Sequence, residues 1–334
     1  MKKWLVSLSL LLLVVVTAAC GKDATSSSIN KKDLKEVTVM LDWYPNAVHS
    51  FLYVAQEKGY FEEEGVKVDI QYPANPTDPL NLAATGKVTL GFYYQPDVVM
   101  ARANENVPVK SVGAIVRSPL NHVVFLDESP VKRPKDLEGK TVGYTGIPLN
   151  EALLKRMIKT DGGNPDKVKM ADVGFELGSS VVTKKVDAVI GAYINHEVPV
   201  LKDKGYDTRY FNPTDYGVPN YYELVAVTSD HTWEKDEESI RAFWKAATKG
   251  YEFMNEHPDE ALDILLSNQD KANFPLVEGV EKQSLDILLP KMESAEGFGS
   301  QTNKSWEETA KWLKDSSLIK KEPKPEDMFI DLTN

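Results

Sequence analysis

Between residues 36 and 211, short strand patterns alternate with helical ones, and this alternation constrains the fold more than any other feature. Val37, Val39 and Leu41 alternate with Thr38, Met40 and Asp42. After a helical stretch over 49–59, Val66, Val68, Ile70 and Tyr72 alternate with Lys67, Asp69 and Gln71. A period of two marks a half-buried strand, and apolar residues three and four apart mark the helix between. The same reading gives a helix over 76–86, a strand over 87–94, a helix over 96–104 and a strand over 109–116. Strands separated by helices are βαβ units, which assemble into an open, largely parallel sheet. The fold class is α/β.

A second set follows a break at 117–121. It comprises an extended apolar run over 122–126, a strand over 141–144, a helix over 149–159 ended by Gly162-Gly-Asn-Pro165, and a helix over about 176–185. A strand over 187–193, a helix over 195–204 and a strand near 208–211 complete it. A turn-rich return over 213–219 leads into an extended run over 221–228. From Glu237 the pattern is helical: Ile240, Phe243, Trp244, Ala247 and Tyr251 recur at helical spacing, and further helices are expected near 278–292 and 304–313. The two sets echo one another. Thr85-Gly-Lys-Val88 leads into a strand ending at Tyr93-Tyr94, and Thr183-Lys-Lys-Val186 into one ending at Tyr193-Ile-Asn-His-Glu197.

Residues 41–55 pass from strand to helix through a Pro45-Asn46 corner carrying Asp42, Trp43, Asn46 and His49. Strand-to-helix corners are where open α/β sheets present ligand-contacting groups. Trp43 suits a ring platform or the core; His49, one turn into its helix, suits a structural role.

Residues 1–19 read as a lipoprotein signal peptide. Lys2 and Lys3 precede an apolar run from Leu5 to Val16, and Thr17-Ala-Ala-Cys20 resembles a cleavage site with Cys20 as the acylated residue. The run is too short for a comfortable membrane span. The polar residues that follow, to about 35, read as a flexible tether. This places the folded body at the outer face of the cytoplasmic membrane, lipid-anchored. Loss of Lys2 and Lys3 takes the net charge from −11 to −13. That acidity, without a basic stripe, argues against nucleic acid and against capture of a strongly anionic ligand.

Catalytic constellations are missing from the sequence. There is no Gly-x-Ser-x-Gly elbow and no phosphate-binding Gly-rich loop, His196-Glu197 lacks the second histidine of a zinc helix, and Cys20 is the one cysteine. No metal, cofactor or reaction is expected.

Five motifs carry a resemblance. Leu41-Asp-Trp-x-Pro-Asn-x-x-His49, Gly59-Tyr-Phe-x-x-x-Gly65, Gly86-Lys-Val and Ser239-Ile-Arg-Ala-Phe-Trp-Lys-Ala, with Tyr193-Ile-Asn-His-Glu197, resemble the thiamine-pyrimidine synthase-like family over nearly the whole chain from Val37. Its bacterial members are periplasmic-type binding lipoproteins of ABC importers; its eukaryotic members are pyrimidine synthases. The synthases carry a lysine and a histidine where this chain has Tyr93 and Asp97, and a cysteine cluster where it reads Tyr221-Tyr-Glu-Leu-Val, so the reacting groups are gone. The resemblance implies a two-lobe periplasmic-binding-protein fold of type II, with two open α/β sheets and two crossings near 117–121 and 216–224. Lobe 1 would be 36–117 plus 224–334, and lobe 2 would be 118–223.

The ligand so implied is a thiamine-related aminopyrimidine, N-formyl-4-amino-5-aminomethyl-2-methylpyrimidine, handed by a monomeric binder to the permease and ATPase of an ABC importer. Riboflavin, an alkanesulfonate or nitrate are alternatives, and a purely structural lipoprotein another. A flat nitrogen-rich ring needs stacking faces and hydrogen-bond acceptors. Trp43, Tyr93, Tyr94, Tyr144, Tyr193, Tyr221 and Tyr222 are aromatics at strand ends or crossings, with one of Tyr93 and Tyr94 facing the cleft by alternation. Glu197 suits the amino edge, or else its helix N-terminus. Asp42 stands at the corner, and Asn46 and Asn121 suit a formamide. Pro148-Leu-Asn150 could aim a helix N-terminus at the ligand's tail.

Overall fold

The computed structural model describes residues 34–333; the signal peptide, Cys20 and most of the tether lie outside them. Ten strands form two five-stranded sheets. The first contains β1 (Lys35–Met40), β2 (Val66–Gln71), β3 (Leu90–Tyr93), β4 (Val109–Val116) and β10 (Leu224–Ser229), in the order β2-β1-β3-β10-β4. The second contains β5 (Asn121–Leu126), β6 (Thr141–Tyr144), β7 (Lys169–Asp172), β8 (Ala188–Tyr193) and β9 (Thr208–Phe211), in the order β7-β6-β8-β5-β9. Strands β1, β2 and β3 pair in parallel, as do β6, β7 and β8, whereas β10 and β5 run antiparallel to both neighbours. The chain passes between the sheets twice, from β4 to β5 and from β9 to β10.

Central strands are apolar on both faces because helices cover both sides. Val37, Val39, Leu90, Phe92, Ala114, Ile115 and Val225 are fully buried. The long helix Asp230–Glu256 covers the first sheet with Ile240, Phe243, Trp244 and Ala247. It starts seven residues before the expected Glu237, capped by the Ser229 hydroxyl at Thr232 N, and Asp236 interrupts it with a non-helical backbone. The Trp244 indole lies where a Cβ on either Gly113 or Gly299 would come within 2.2 Å. Both positions must stay small for the ring to seat.

The edge strand β7 is absent from the sequence reading. Lys169-Met-Ala-Asp172 has no alternating apolar face, being half-buried at its centre and exposed at its ends. Its register comes from pairing with β6 alone. Among the described residues no helix is long and apolar enough to cross a membrane.

Candidate functional site

The cleft between the sheets is built from strand ends. After β1 the chain turns through the 41–46 corner into a short 3-10 turn, Ala47–His49, and the helix Ser50–Glu57. Asn46 caps that turn, its side chain accepting from Val48 N at 3.1 Å. Its own N–H donates to His49 Nδ1 at 3.2 Å. A backbone N–H can only donate, so Nδ1 is unprotonated and Nε2 carries the ring proton, which it gives to Asp42 Oδ1 at 2.9 Å. His49 is thus a buried strut between Asp42 and Asn46. Ala47 N donates to Glu281 Oε2 at 2.8 Å, which ties the corner to the helix Glu278–Met292.

The second sheet supplies the opposite wall. Asn121 opens β5; its Oδ1 accepts from Gly191 N at 2.9 Å and its Nδ2 donates to Asn150 Oδ1 at 2.7 Å. Asn150, in the first turn of the helix Pro148–Thr160, donates onward to Thr145 Oγ1 at 2.8 Å. Gly191 has φ of +100°, and a Cβ there would lie 2.9 Å from Asn150 Nδ2. This amide chain therefore requires glycine. Glu197 begins the helix Glu197–Asp203 and accepts from Tyr193 N at 2.7 Å through Oε2.

These walls border about 500 Å³ of space, part of it open to solvent. Asp42, Trp43, Asn46, Tyr94, Asn121, Tyr193 and Glu197 all line the space. Of the Tyr93–Tyr94 pair it is Tyr94 that faces the space; Tyr144, Tyr221 and Tyr222 are not in its lining, contrary to the expectation for them. Alternation turns Tyr93 into the core, 2 % exposed, with its ring tilted against Tyr94. Tyr144 stays half-buried at the end of β6, its carbonyl accepting from Val173 N in the turn beyond β7. Tyr222 packs toward the C-terminal helices: its hydroxyl accepts from Thr302 N, its N–H donates to Gln95 Oε1, and the Arg117 guanidinium lies over its ring.

Val48, Thr145, Ile147, Asn150, Gly191, Asn195 and His196 also line the cleft. Of these, Asn150 and the Asn195-His196 pair stood in motifs already noted; the others carried no separate signal. Among the described residues no lysine or arginine lines the cleft. Asn195 Oδ1 and His196 Nδ1 are buried without a hydrogen-bond partner.

Behind the cleft wall lies Glu223, which the sequence reading did not single out. Fully buried just before β10, it accepts through Oε2 from Leu120 N at 2.6 Å and Asn121 N at 2.9 Å. Its Oε1 accepts from the Tyr193 hydroxyl at 3.1 Å. One carboxylate therefore joins both crossings to the cleft. Burial raises its pKa to about 7, against the opposing pull of the Asn121 and Leu120 N–H groups. Burial, and then the nearby Glu223, also hold Asp97 well above the usual carboxylate range. Glu281 is raised by burial too, with His196 and the Ala47 N–H opposing.

The two sides touch across the mouth. Asn195 Nδ2 donates to Ser284 Oγ at 3.0 Å. Trp43 meets the edge of Phe175 at 4.4 Å, and the Tyr44 ring lies tilted against the same Phe175 at 4.8 Å. Among the described residues no cluster of His, Cys, Asp and Glu is placed to hold a metal ion.

Two α/β lobes joined by two crossings, with a polar cleft between strand ends, define the periplasmic-binding-protein fold. The alkanesulfonate-binding protein of Xanthomonas axonopodis, bound to MOPS, has this architecture: it superposes with a TM-score of 0.70 over 90% of this chain and 99% of its own, at 14% identity. That identity speaks for the fold alone. Within the fold, the chain belongs to the NMT1/THI5-like family, whose model matches residues 46–261. It is 53% identical, over 98% of both chains, to the formylaminopyrimidine-binding protein of Halalkalibacterium halodurans. It is 24% identical, over 85% of this chain and 87% of the relative, to the 4-amino-5-hydroxymethyl-2-methylpyrimidine phosphate synthase of Legionella pneumophila.

Proposed function

We propose that this chain is a solute-binding protein, not an enzyme, which captures formylaminopyrimidine in the cleft and delivers it to an ABC importer for thiamine salvage. The carrying observation is the wall chemistry. Asp42 and Glu197 face a space without any lysine or arginine, so an anion would meet like charge while an amino-bearing ring finds acceptors. Each carboxylate engages the protein through one oxygen, Asp42 with His49 and Glu197 with Tyr193 N. The second oxygen of Glu197 remains to accept from the exocyclic amino group and a protonated ring nitrogen. Trp43 offers a stacking face. The unpartnered Asn195 Oδ1 and His196 Nδ1 are polar atoms that a ligand's formamide and amino groups would satisfy. The 53% identity to a formylaminopyrimidine-binding protein supports the same ligand.

In this reading the lobes are 36–117 with 224–334, and 118–223, and the protein acts as a monomer on the outer face of the cytoplasmic membrane, held by lipid on Cys20. Calorimetric titration of the purified protein with formylaminopyrimidine tests the ligand. A Kd between micromolar and nanomolar, about −8 to −12 kcal/mol, is expected, with an alkanesulfonate giving no heat. Sulfonate binding without pyrimidine binding would overturn the proposal.

A further inference from the structure

Glu223 is not part of the cleft lining, yet its bonding dictates which way one cleft hydroxyl points. Its Oε2 receives two backbone N–H groups, which can only donate, and the Tyr221 hydroxyl at 3.4 Å. Its Oε1 receives the Tyr193 hydroxyl. A phenol has one proton and two lone pairs. Because Tyr193 gives its proton to Glu223, its oxygen is left with lone pairs to show to the cleft that it lines.

We propose that Glu223 is a positioning residue for ligand recognition: its buried carboxylate takes the Tyr193 hydroxyl proton so that this oxygen presents an acceptor to the amino hydrogens of the ligand. The inference rests on the reading above that an amino-bearing ring occupies the cleft. It extends that reading from the carboxylates in the wall to a charge behind it. Asp42, the Tyr193 hydroxyl and Glu197 then all stand as acceptors in the cleft wall.

The polarity is reversible. A proton added to Glu223 must sit on Oε1, because Oε2 is filled by donors. Tyr193 would then accept there and turn its own proton toward the cleft, so a donor faces the ligand's amino group. Burial places this titration near neutral pH, at about 7. The titratable groups facing Glu223 are Asp97 from the helix Gln95–Glu105, Tyr94 from the end of β3, Tyr193 from β8 and Tyr221 on its own crossing. Burial holds all three tyrosines well above their ordinary pKa, so they stay protonated throughout.

Glu223→Gln makes the reversal permanent: the amide oxygen takes the backbone donors and the amide nitrogen donates to Tyr193, at nearly unchanged volume. The test is calorimetry of the whole protein with formylaminopyrimidine at pH 8.5 and 5.5, for wild type, Glu223→Gln, Tyr193→Phe and the double variant. At pH 8.5, Glu223→Gln is expected to raise Kd by roughly ten- to a hundredfold. In the Tyr193→Phe background the same change should have little further effect, because the group it acts through is gone. Wild type should bind more tightly than Tyr193→Phe at pH 8.5 and lose that advantage at pH 5.5. Titration of the ligand's own ring is common to both proteins and cancels in their ratio, and this comparison decides the matter even if Glu223→Gln does not fold. Wild-type affinity in Glu223→Gln, or an undiminished loss in the double variant, overturns the relay while leaving the ligand in place. Absence of wild-type binding at both pH values overturns the ligand reading, and the relay with it.

Discussion

From edge to edge, the first sheet runs β2-β1-β3-β10-β4 and the second β7-β6-β8-β5-β9: in each, three parallel strands meet an antiparallel strand that has just crossed from the other lobe. The corners facing the cleft differ in chemistry. On the first side, Asp42 is held by an imidazole and Ala47 by the buried Glu281 carboxylate. On the second, Asn121, Asn150 and Thr145 satisfy one another as neutral groups, with Glu197 the charged exception. Equal topology thus leaves the strand ends free to divide the work. A charged, aromatic wall faces an amide wall.

The largest test of this comparison is one of stability. The first lobe seats Trp244 between Gly113 and Gly299, whereas the outer face of the second sheet rests on a smaller cluster of Val181, Leu201 and their neighbours. Trp244→Ala should cost ~3–5 kcal/mol in urea unfolding, while Val181→Ala should cost less than half of that. Equal losses would mean that the lobes are stabilised alike. The pH dependence of the ligand-free protein comes next. Glu223 has a folded pKa of about 7, above its ordinary 4.5. A raised carboxylate pKa favours folding below the unfolded value, and that contribution is lost as pH rises through the folded one. Stability should therefore fall by about 3 kcal/mol between pH 4.5 and 7, with Asp97 and Glu281 acting in the same sense, and Glu223→Gln should flatten the curve.

Binding tests are finer. Trp43→Ala on the charged wall should weaken formylaminopyrimidine binding by ~1–3 kcal/mol, measured by calorimetry. Smallest is the contact across the mouth. Ser284→Ala removes the Asn195 partner and should weaken binding by ~0.5–1.5 kcal/mol, chiefly through faster release seen by stopped flow. A loss from Ser284→Ala as large as that from Trp43→Ala would shift the weight of recognition from wall to mouth.

Much of this was legible before the structure. The βα alternation, the 41–49 corner and the buried face of the long helix follow from local pattern, because period and turn residues are local properties. Strand β7 was not, since an edge strand needs no apolar face. Tyr93 and Tyr94 were a pair that only the strand's orientation could separate. Glu223 escaped because its importance comes from Leu120 and Asn121, a hundred residues earlier, and from Tyr193. A carboxylate after two tyrosines reads the same whether it meets water or two backbone donors.

The interleaving of β10 between β3 and β4 has a consequence for the order of assembly. All five strands of the second sheet come from one stretch, Asn121–Phe211, whereas the first sheet lacks a central strand until Leu224–Ser229 has arrived. A chain emerging from its N-terminus can complete the later-encoded lobe first. The earlier-encoded lobe must wait with β3 and β4 unpaired along the edges that β10 will join. Pairings of such long sequence separation are slow, and open edges invite association with other chains. In refolding, amide protection should appear in β5 and β8 before β3, and aggregation should track the lifetime of that gap.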